Sequence, residues 1–232
     1  MRGIRGGRIA MIFQDPSAAL NPVFTIGQQL MEVMQQHHNQ PKAELKRWAV
    51  ELLDMRELPN PKDCFNAYPH QFSGGMQQRA MIAMALSSQL GRKVHAAPHT
   101  ALDVTIQAQI LDLLVRIKEE QGISIILVPH NLGVIADTCQ HVAVLYAGRI
   151  AEEGSVRDIF HDPKHPYTQG LMASLPHPRT RGHRLASIPG SVPNGIDPVP
   201  GCAFASRCEF AMHECWQAQP ALLTLGINRS SA

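Results

Sequence analysis

The sequence predicts an α/β fold: a parallel sheet, an inserted helical region and an irregular C-terminal extension. Three observations carry that expectation. Apolar runs of strand length, Ile9 to Phe13, Ile123 to Val128 and His141 to Tyr146, alternate with stretches whose apolar residues recur at helical spacing. Two helical stretches follow one another between residues 26 and 55 with no strand-like run between them. From His161 onward the composition shifts to proline, glycine and arginine, with loop words such as Pro189-Gly190-Ser191-Val192-Pro193 and Pro198-Val199-Pro200-Gly201.

The elements can be justified in order. Residues 9 to 13 read as a strand that ends in the polar Gln14 just before Pro16. The Asn21-Pro22 turn precedes an amphipathic helix from Ile26 to about His37. Ala43 to Met55 forms a second helix, with Leu45, Ala49, Leu52 and Leu53 on one face, and Pro59 and Pro61 break it. Gln77 to Leu86 and Ile106 to Gln121 are two further helices. The run Ile123 to Val128, stopped by Pro129 and His130, is expected to lie parallel to His141–Tyr146, with the helix Leu132 to Cys139 crossing between them. Tyr146 to Gly154 reads as a hairpin-like word that closes the core.

The chemistry concentrates at Phe72-Ser73-Gly74-Gly75-Met76-Gln77-Gln78-Arg79. Two glycines let a backbone approach a phosphate closely, while a serine hydroxyl and the free N–H groups of a first helical turn point at it. A Ser-Gly-Gly turn alone is an ordinary capped loop. Its company is distinctive: Met11-Ile12-Phe13-Gln14-Asp15-Pro16 upstream, then Thr100-Ala101-Leu102-Asp103-Val104-Thr105 and the strand-like run into His130 downstream.

These words, in this order, resemble the ATP-binding subunit of an ABC transporter. More narrowly, Asn21-Pro22-Val23-Phe24-Thr25-Ile26-Gly27, Tyr68-Pro69-His70-Gln71, Ala101 to Gln109 and His165-Pro166-Tyr167-Thr168 are similar to the oligopeptide, dipeptide and nickel importer branch. The resemblance covers nearly the whole chain. It implies a partial P-loop NTPase-type sheet and gives roles to single residues. Gln14 would be the Q-loop, Ser73, Gly74, Gly75 and Met76 the signature offered to a partner's nucleotide, Asp103 the D-loop and His130 the switch histidine beside the γ-phosphate. Met76 stands where most of the family has glutamine, and Pro129 and Asn131 flank His130 where threonine and aspartate are usual. It further implies four regions: 1–25 as the Q-loop end of the nucleotide core, 26–72 as a helical subdomain, 73–160 as the signature helix and the rest of the core, and 161–232 as the peptide-importer extension. The implied partners are a second ATP-binding subunit, two membrane-spanning permease subunits and a separate substrate-binding protein. ATP and Mg2+ are the implied cofactors, at the cytoplasmic face of the cell membrane.

Two departures bear on activity. A P-loop reads Gly-x-x-x-x-Gly-Lys-Ser/Thr, and no such string occurs here, so the chain is expected to be N-terminally truncated relative to the family. The family's Asp-Glu-Pro, whose carboxylates order magnesium and polarise water, falls on Ala96-Ala97-Pro98 when counted back without a gap from Thr100. Arg92 and Lys93 also enter what should be a buried strand. Compensating frameshifts or gene decay would give this pattern, a hypothesis that comparison of the three reading frames tests. The chain's own nucleotide site is therefore expected to be defective.

The 232 residues leave room for one large or two small domains, and a 44% apolar content suffices for a core. A net charge of +2, with sparse arginine clusters, argues against a nucleic-acid partner. No apolar run approaches the roughly twenty residues that span a bilayer. His95 and His99, with Pro98 between them, read as solvated histidines more readily than as a metal pair. Cys202, Cys208 and Cys215, with gaps of five and six residues, are candidate metal or iron–sulfur ligands in a cytosolic chain; unligated thiols, or a site completed by His213 or a partner, stay open. Cys64 and Cys139 read as buried or half-buried small residues. Two rival readings follow: a metal-binding or interaction fragment, and a decayed chain without function.

Overall fold

The structure is a computed structural model that describes residues 4–88, 95–96, 104–129, 131–175, 186–194, 199–226 and 228–232, with the backbone alone at 95, 96 and 104–106. Asp103, His130 and the Ala97-Pro98 pair lie outside the described residues. The chain divides into two units, Met1–Leu132 and Gly133–Ala232.

In the first unit, β1 (Met11–Ile12) pairs in parallel with β2 (His95–Ala96), Met11 opposite His95 and Ile12 opposite Ala96. The strand expected over 9–13 is thus shorter, with Ile9 engaged instead in an isolated bridge to Arg5. Helix α1 (Pro16–Ala19) is capped by Asp15, whose carboxylate accepts from the Ser17 N–H at 2.9 Å and the Ser17 hydroxyl at 2.6 Å. Those bonds favour the ionised carboxylate and hold its pKa below the usual value.

Helices α2 (Ile26–His37) and α3 (Lys42–Met55) occupy almost the spans their periodicity predicts. Thr25 and Gln28 form a reciprocal capping box at the start of α2. Ile26, Leu30 and Met34 of α2 pack against Leu45, Ala49, Leu52 and Leu53 of α3 and against Cys64 and Phe65 of α4 (Pro61–Asn66). Burial of each large aliphatic side chain here stabilises by about 1.5–3 kcal/mol. Gly27 is required by that packing, because a Cβ there would stand 2.4 Å from the Phe65 carbonyl oxygen and 2.5 Å from its ring.

Helix α5 (Gly74–Ser87) has little amphipathicity because it is apolar nearly all round, as befits a helix between two cores. Its Ala80 and Ala83 belong to the α2–α3–α4 core. Met81, Ile82, Ala85 and Leu86 belong to a second core, with Ala10 and Ile12 around β1 and with Ile110, Leu113, Leu114 and Ile117 of α6 (Val104–Gln121). One helix therefore ties the helical subdomain to the strand that leads to Gln14.

Two expectations about the sheet are corrected. The run from Ile123 to Val128 is extended, with Ile123 buried and Ile126 and Val128 exposed, but it joins no ladder among the described residues. A strand needs a paired neighbour, and the described part of the preceding run, His95 and Ala96, pairs with β1 instead.

The second correction lies in the second unit, after α7 (Leu132–Thr138). β3 (His141–Tyr146) is antiparallel, to β4 (Arg149–Ser155), not parallel. Ala147 and Gly148, with φ of 47° and 79°, make the two-residue turn whose twist suits a tight hairpin, so the local turn decides the pairing. α8 (Val156–His161), α9 (Pro166–Ala173) and the short α10 (Glu214–Gln217) follow. The extension is less irregular than its composition suggests, since β5 (Leu223–Gly226) and β6 (Arg229–Ser231) complete an antiparallel sheet ordered β3-β4-β6-β5. Its core is small: Tyr146, Ala151 and Phe204, with Tyr167 and Ile188 beside them. Among the described residues no helix is long and apolar enough to cross a membrane.

Candidate functional site

The N-terminus of α5 is an anion-binding geometry assembled from local rules. Buried Phe72 anchors the entry, and Ser73 adopts an extended cap conformation at φ −65° and ψ 160°. The Ser73 carbonyl accepts the Gln77 N–H at 2.9 Å, and its hydroxyl lies 3.4 Å from the Met76 N–H, a long contact that leaves the hydroxyl available. Gly74 and Gly75 supply first-turn N–H groups that have no acceptor within the helix. Gly74 is exposed and Gly75 buried, with Met76 half-buried. The first turn holds no acidic residue, so the positive end of this helix meets an anion without repulsion.

The loop feeding that turn is held from inside the helix. Gln77 Nε2 donates to the Pro69 carbonyl at 2.8 Å, and Gln71 Oε1 accepts the Tyr68 N–H at 2.8 Å. Sequence reading treated Gln77 as the mere start of a helix; its signal was an amide four residues after a cap, placed to reach back over the turn. Gln78 is fully buried and neither amide atom finds a partner among the described residues, a condition that costs about 1–3 kcal/mol for each unsatisfied group.

Gln14 stands exposed between β1 and the Asp15 cap, in the same unit as Ser73. Ala96, the first of the two positions counted to a carboxylate, pairs with Ile12 two residues before Gln14. Asp103 and His130, expected as D-loop and switch residues, fall outside the described residues.

In the second unit the three spaced cysteines come together. The Cys202 N–H donates to the Cys215 carbonyl at 2.7 Å, and the Ala205–Arg207 turn carries the chain from Cys202 to Cys208. Gly201 is obligatory for that approach, since a Cβ there would stand 2.2 Å from the Cys215 carbonyl oxygen. All three thiols are free and half-buried. Burial pushes the Cys208 thiol up, and the neighbouring Cys202 and Cys215 add to the rise. Even so, among the described residues no three His, Cys, Asp or Glu side chains form a group able to hold a metal ion.

Comparison with known proteins identifies the family. Residues 2–91 match the family described as ABC transporter, and residues 151–215 match that described as oligopeptide/dipeptide transporter, C-terminal region. A protein of Sinorhizobium fredii named as a probable peptide ABC transporter ATP-binding protein is 50% identical over all of this chain and 70% of its own length. The dipeptide transport ATP-binding protein DppD of Bacillus subtilis is 47% identical over 95% of this chain and 66% of its own. A dimeric ATP-binding cassette in a post-hydrolysis state bound to ADP and Pi superposes with a TM-score of 0.57 at 29% identity. That superposition covers 66% of this chain, which spans 65% of that neighbour's length.

Proposed function

The chain belongs to the ABC transporter family of ATP-binding subunits, in its peptide and dipeptide branch, and from that premise we propose that it serves a peptide importer by presenting Ser73, Gly74, Gly75 and Met76 to ATP held by a partner subunit. The observation that carries this reading is the Ser73-capped, acid-free N-terminus of α5, at which Ser73 and Gly74 are exposed. Peptides are favoured over nickel chelates as cargo because the matching extension and the named relatives are those of peptide transporters. Gln14, Asp103 and His130 keep the Q-loop, D-loop and switch roles that their sequence positions give them. The four regions bounded at 25, 72 and 160 stand as functional divisions: core, permease-facing helices, signature with core, and extension. The partners are a second ATP-binding subunit and two permeases at the cytoplasmic face of the membrane, with a separate protein delivering the peptide.

Hydrolysis belongs to the partner's site. With methyl groups at Ala96 and Ala97, this chain offers neither a carboxylate for Mg2+ nor one to polarise water, and those electrostatic terms carry most of phosphoryl transfer. Turnover of Mg-ATP tests the division. This chain alone should give none, whereas mixing it with a peptide-importer subunit that has an intact P-loop and Asp-Glu-Pro should raise that subunit's rate. Ser73→Arg should abolish the gain; a rate indifferent to Ser73→Arg would overturn the reading.

The cysteines support a second reading only through their proximity. Iron and sulfide analysis after anaerobic purification decides it: stoichiometric iron and sulfide would assign Cys202, Cys208 and Cys215 as cluster ligands. Colourless, iron-free protein would assign them as thiols.

A further inference from the structure

Helix α3 stops in a Schellman motif: the Glu57 N–H donates to the Asp54 carbonyl at 2.8 Å, and the Leu58 N–H to the Leu53 carbonyl at 3.2 Å. The residue that turns the chain in this motif sits in the left-handed region and is usually glycine. Here it is Glu57, at φ 58°. The bonds of Glu57 give its side chain a role beyond the turn. Its Oε2 accepts from Arg79 Nη1 of α5 at 2.6 Å, and its Oε1 from Arg116 Nη2 of α6 at 2.5 Å. Arg79 is only 12% exposed and also donates to the Arg56 carbonyl at 3.1 Å and to Gln109 Oε1 of α6 at 3.4 Å.

Three helices therefore meet at one carboxylate: the last helical turn before the subdomain's proline break, the signature helix and the helix that follows the Asp103 segment. Arg79 lies about one and a half turns into α5, beyond the capped first turn. Within that first stretch, buried Gln78 has no hydrogen-bond partner among the described residues, whereas Gln77 and Arg79 tie α5 to its neighbours.

We propose that Glu57 is a positioning residue for the signature: through Arg79 and Arg116 it fixes the angle at which α5 presents Ser73 and Gly74, and links that angle to α6. The proposal rests on the reading of Ser73 to Met76 as the nucleotide-facing turn. The remaining charges at this junction are Arg56, Asp112 and Glu120. Buried Arg56 is pulled down by burial and supported by Glu120, while Arg116 is raised chiefly by its bond to Glu57, with Glu120 and Asp112 adding. The Glu57 carboxyl is held below its usual value by the two arginine bonds, so the clamp is complete at neutral pH.

Glu57→Gly separates a positioning role from a structural one. Glycine relieves the left-handed backbone, so thermal stability should stay within a few degrees of the parent. With the charge-assisted bonds gone, amide hydrogen exchange at Gln77 and Gln78 in the full chain should accelerate about tenfold, with Leu30 to Met34 in α2 unchanged. Glu57→Gln, which retains an acceptor, should give an intermediate effect. Arg116→Gln, at an exposed position, should move the same amides in the same direction without a folding risk. In the mixed-subunit Mg-ATP assay, Glu57→Gly should reduce the gain several-fold. Unchanged exchange, acceleration spread equally through α2, or faster exchange with an unreduced gain would each overturn the proposal. If the parent chain gives no gain at all, the nucleotide reading fails, and the exchange data still decide the clamp.

Discussion

The helical subdomain and the C-terminal extension are held by different physics. Around α2, α3 and α4 the core is mainly aliphatic, with Ile26, Leu30, Met34, Leu45 and Leu53 fully buried. The extension buries few apolar side chains and is stitched by charge instead, to itself and to the preceding strands β3 and β4. Glu152 is fully buried, accepts the Lys164 and His165 N–H groups at 2.8 and 3.0 Å, and faces Arg229 at 3.8 Å. Arg207 similarly donates to the Pro189 and Ile188 carbonyls and to the Tyr146 hydroxyl. The difference teaches that the first region should fail by lost volume and the second by lost charge. Each region carries one tryptophan, Trp48 in α3 and Trp216 in α10, so Trp48→Phe and Trp216→Phe backgrounds report on them separately.

The largest effect should come from Glu152→Ala, which orphans the buried His165 N–H, removes the acceptor of the Lys164 N–H and weakens the hold on Arg229. Urea unfolding followed by Trp216 should lose about 3–5 kcal/mol, with the Trp48 transition unmoved. Leu53→Ala should do the reverse, costing about 3 kcal/mol on Trp48 fluorescence and leaving Trp216 in place. If both variants shift both transitions equally, the contrast between the regions is broken. Gly27→Ala, forced against the Phe65 carbonyl, should cost about 1–3 kcal/mol, again on Trp48 alone.

The smallest effect sharpens the contrast through pH. Burial pulls the pKa of His165 below its usual 6.5, opposed by Glu152, and its Nδ1 must stay unprotonated to accept the Tyr167 N–H at 3.0 Å and cap α9. The unfolded chain takes up that proton first, so the contribution is complete above pH 6.5 and declines as pH falls below it. His165→Asn, which keeps a capping acceptor, should flatten this pH slope on Trp216 while Trp48 remains indifferent.

Legibility in the sequence divides along similar lines. Helices α2 and α3 were readable because apolar period and proline stops are local signals, and the Ser73 cap was readable because the glycines follow it directly. Strand partners are not local, so His141–Tyr146 was placed in a parallel sheet even though the Ala147-Gly148 turn already specified a hairpin. The Ile123–Val128 run has strand composition but joins no ladder among the described residues. Glu57 was invisible for the same reason: its partners are 22 and 59 residues away, and a glutamate after a helix reads as solvent-facing until Arg79 and Arg116 are beside it. Asp103 and His130 rest on sequence position alone.

The central claim is that α5 offers its N-terminus to a nucleotide held by another subunit. Sedimentation of this chain with a peptide-importer subunit carrying an intact P-loop and a glutamine in place of its catalytic glutamate tests it most directly. The account predicts association that requires Mg-ATP and is lost in Ser73→Glu, which places a like charge against the γ-phosphate. Association of equal strength without ATP, or undiminished by Ser73→Glu, would contradict it.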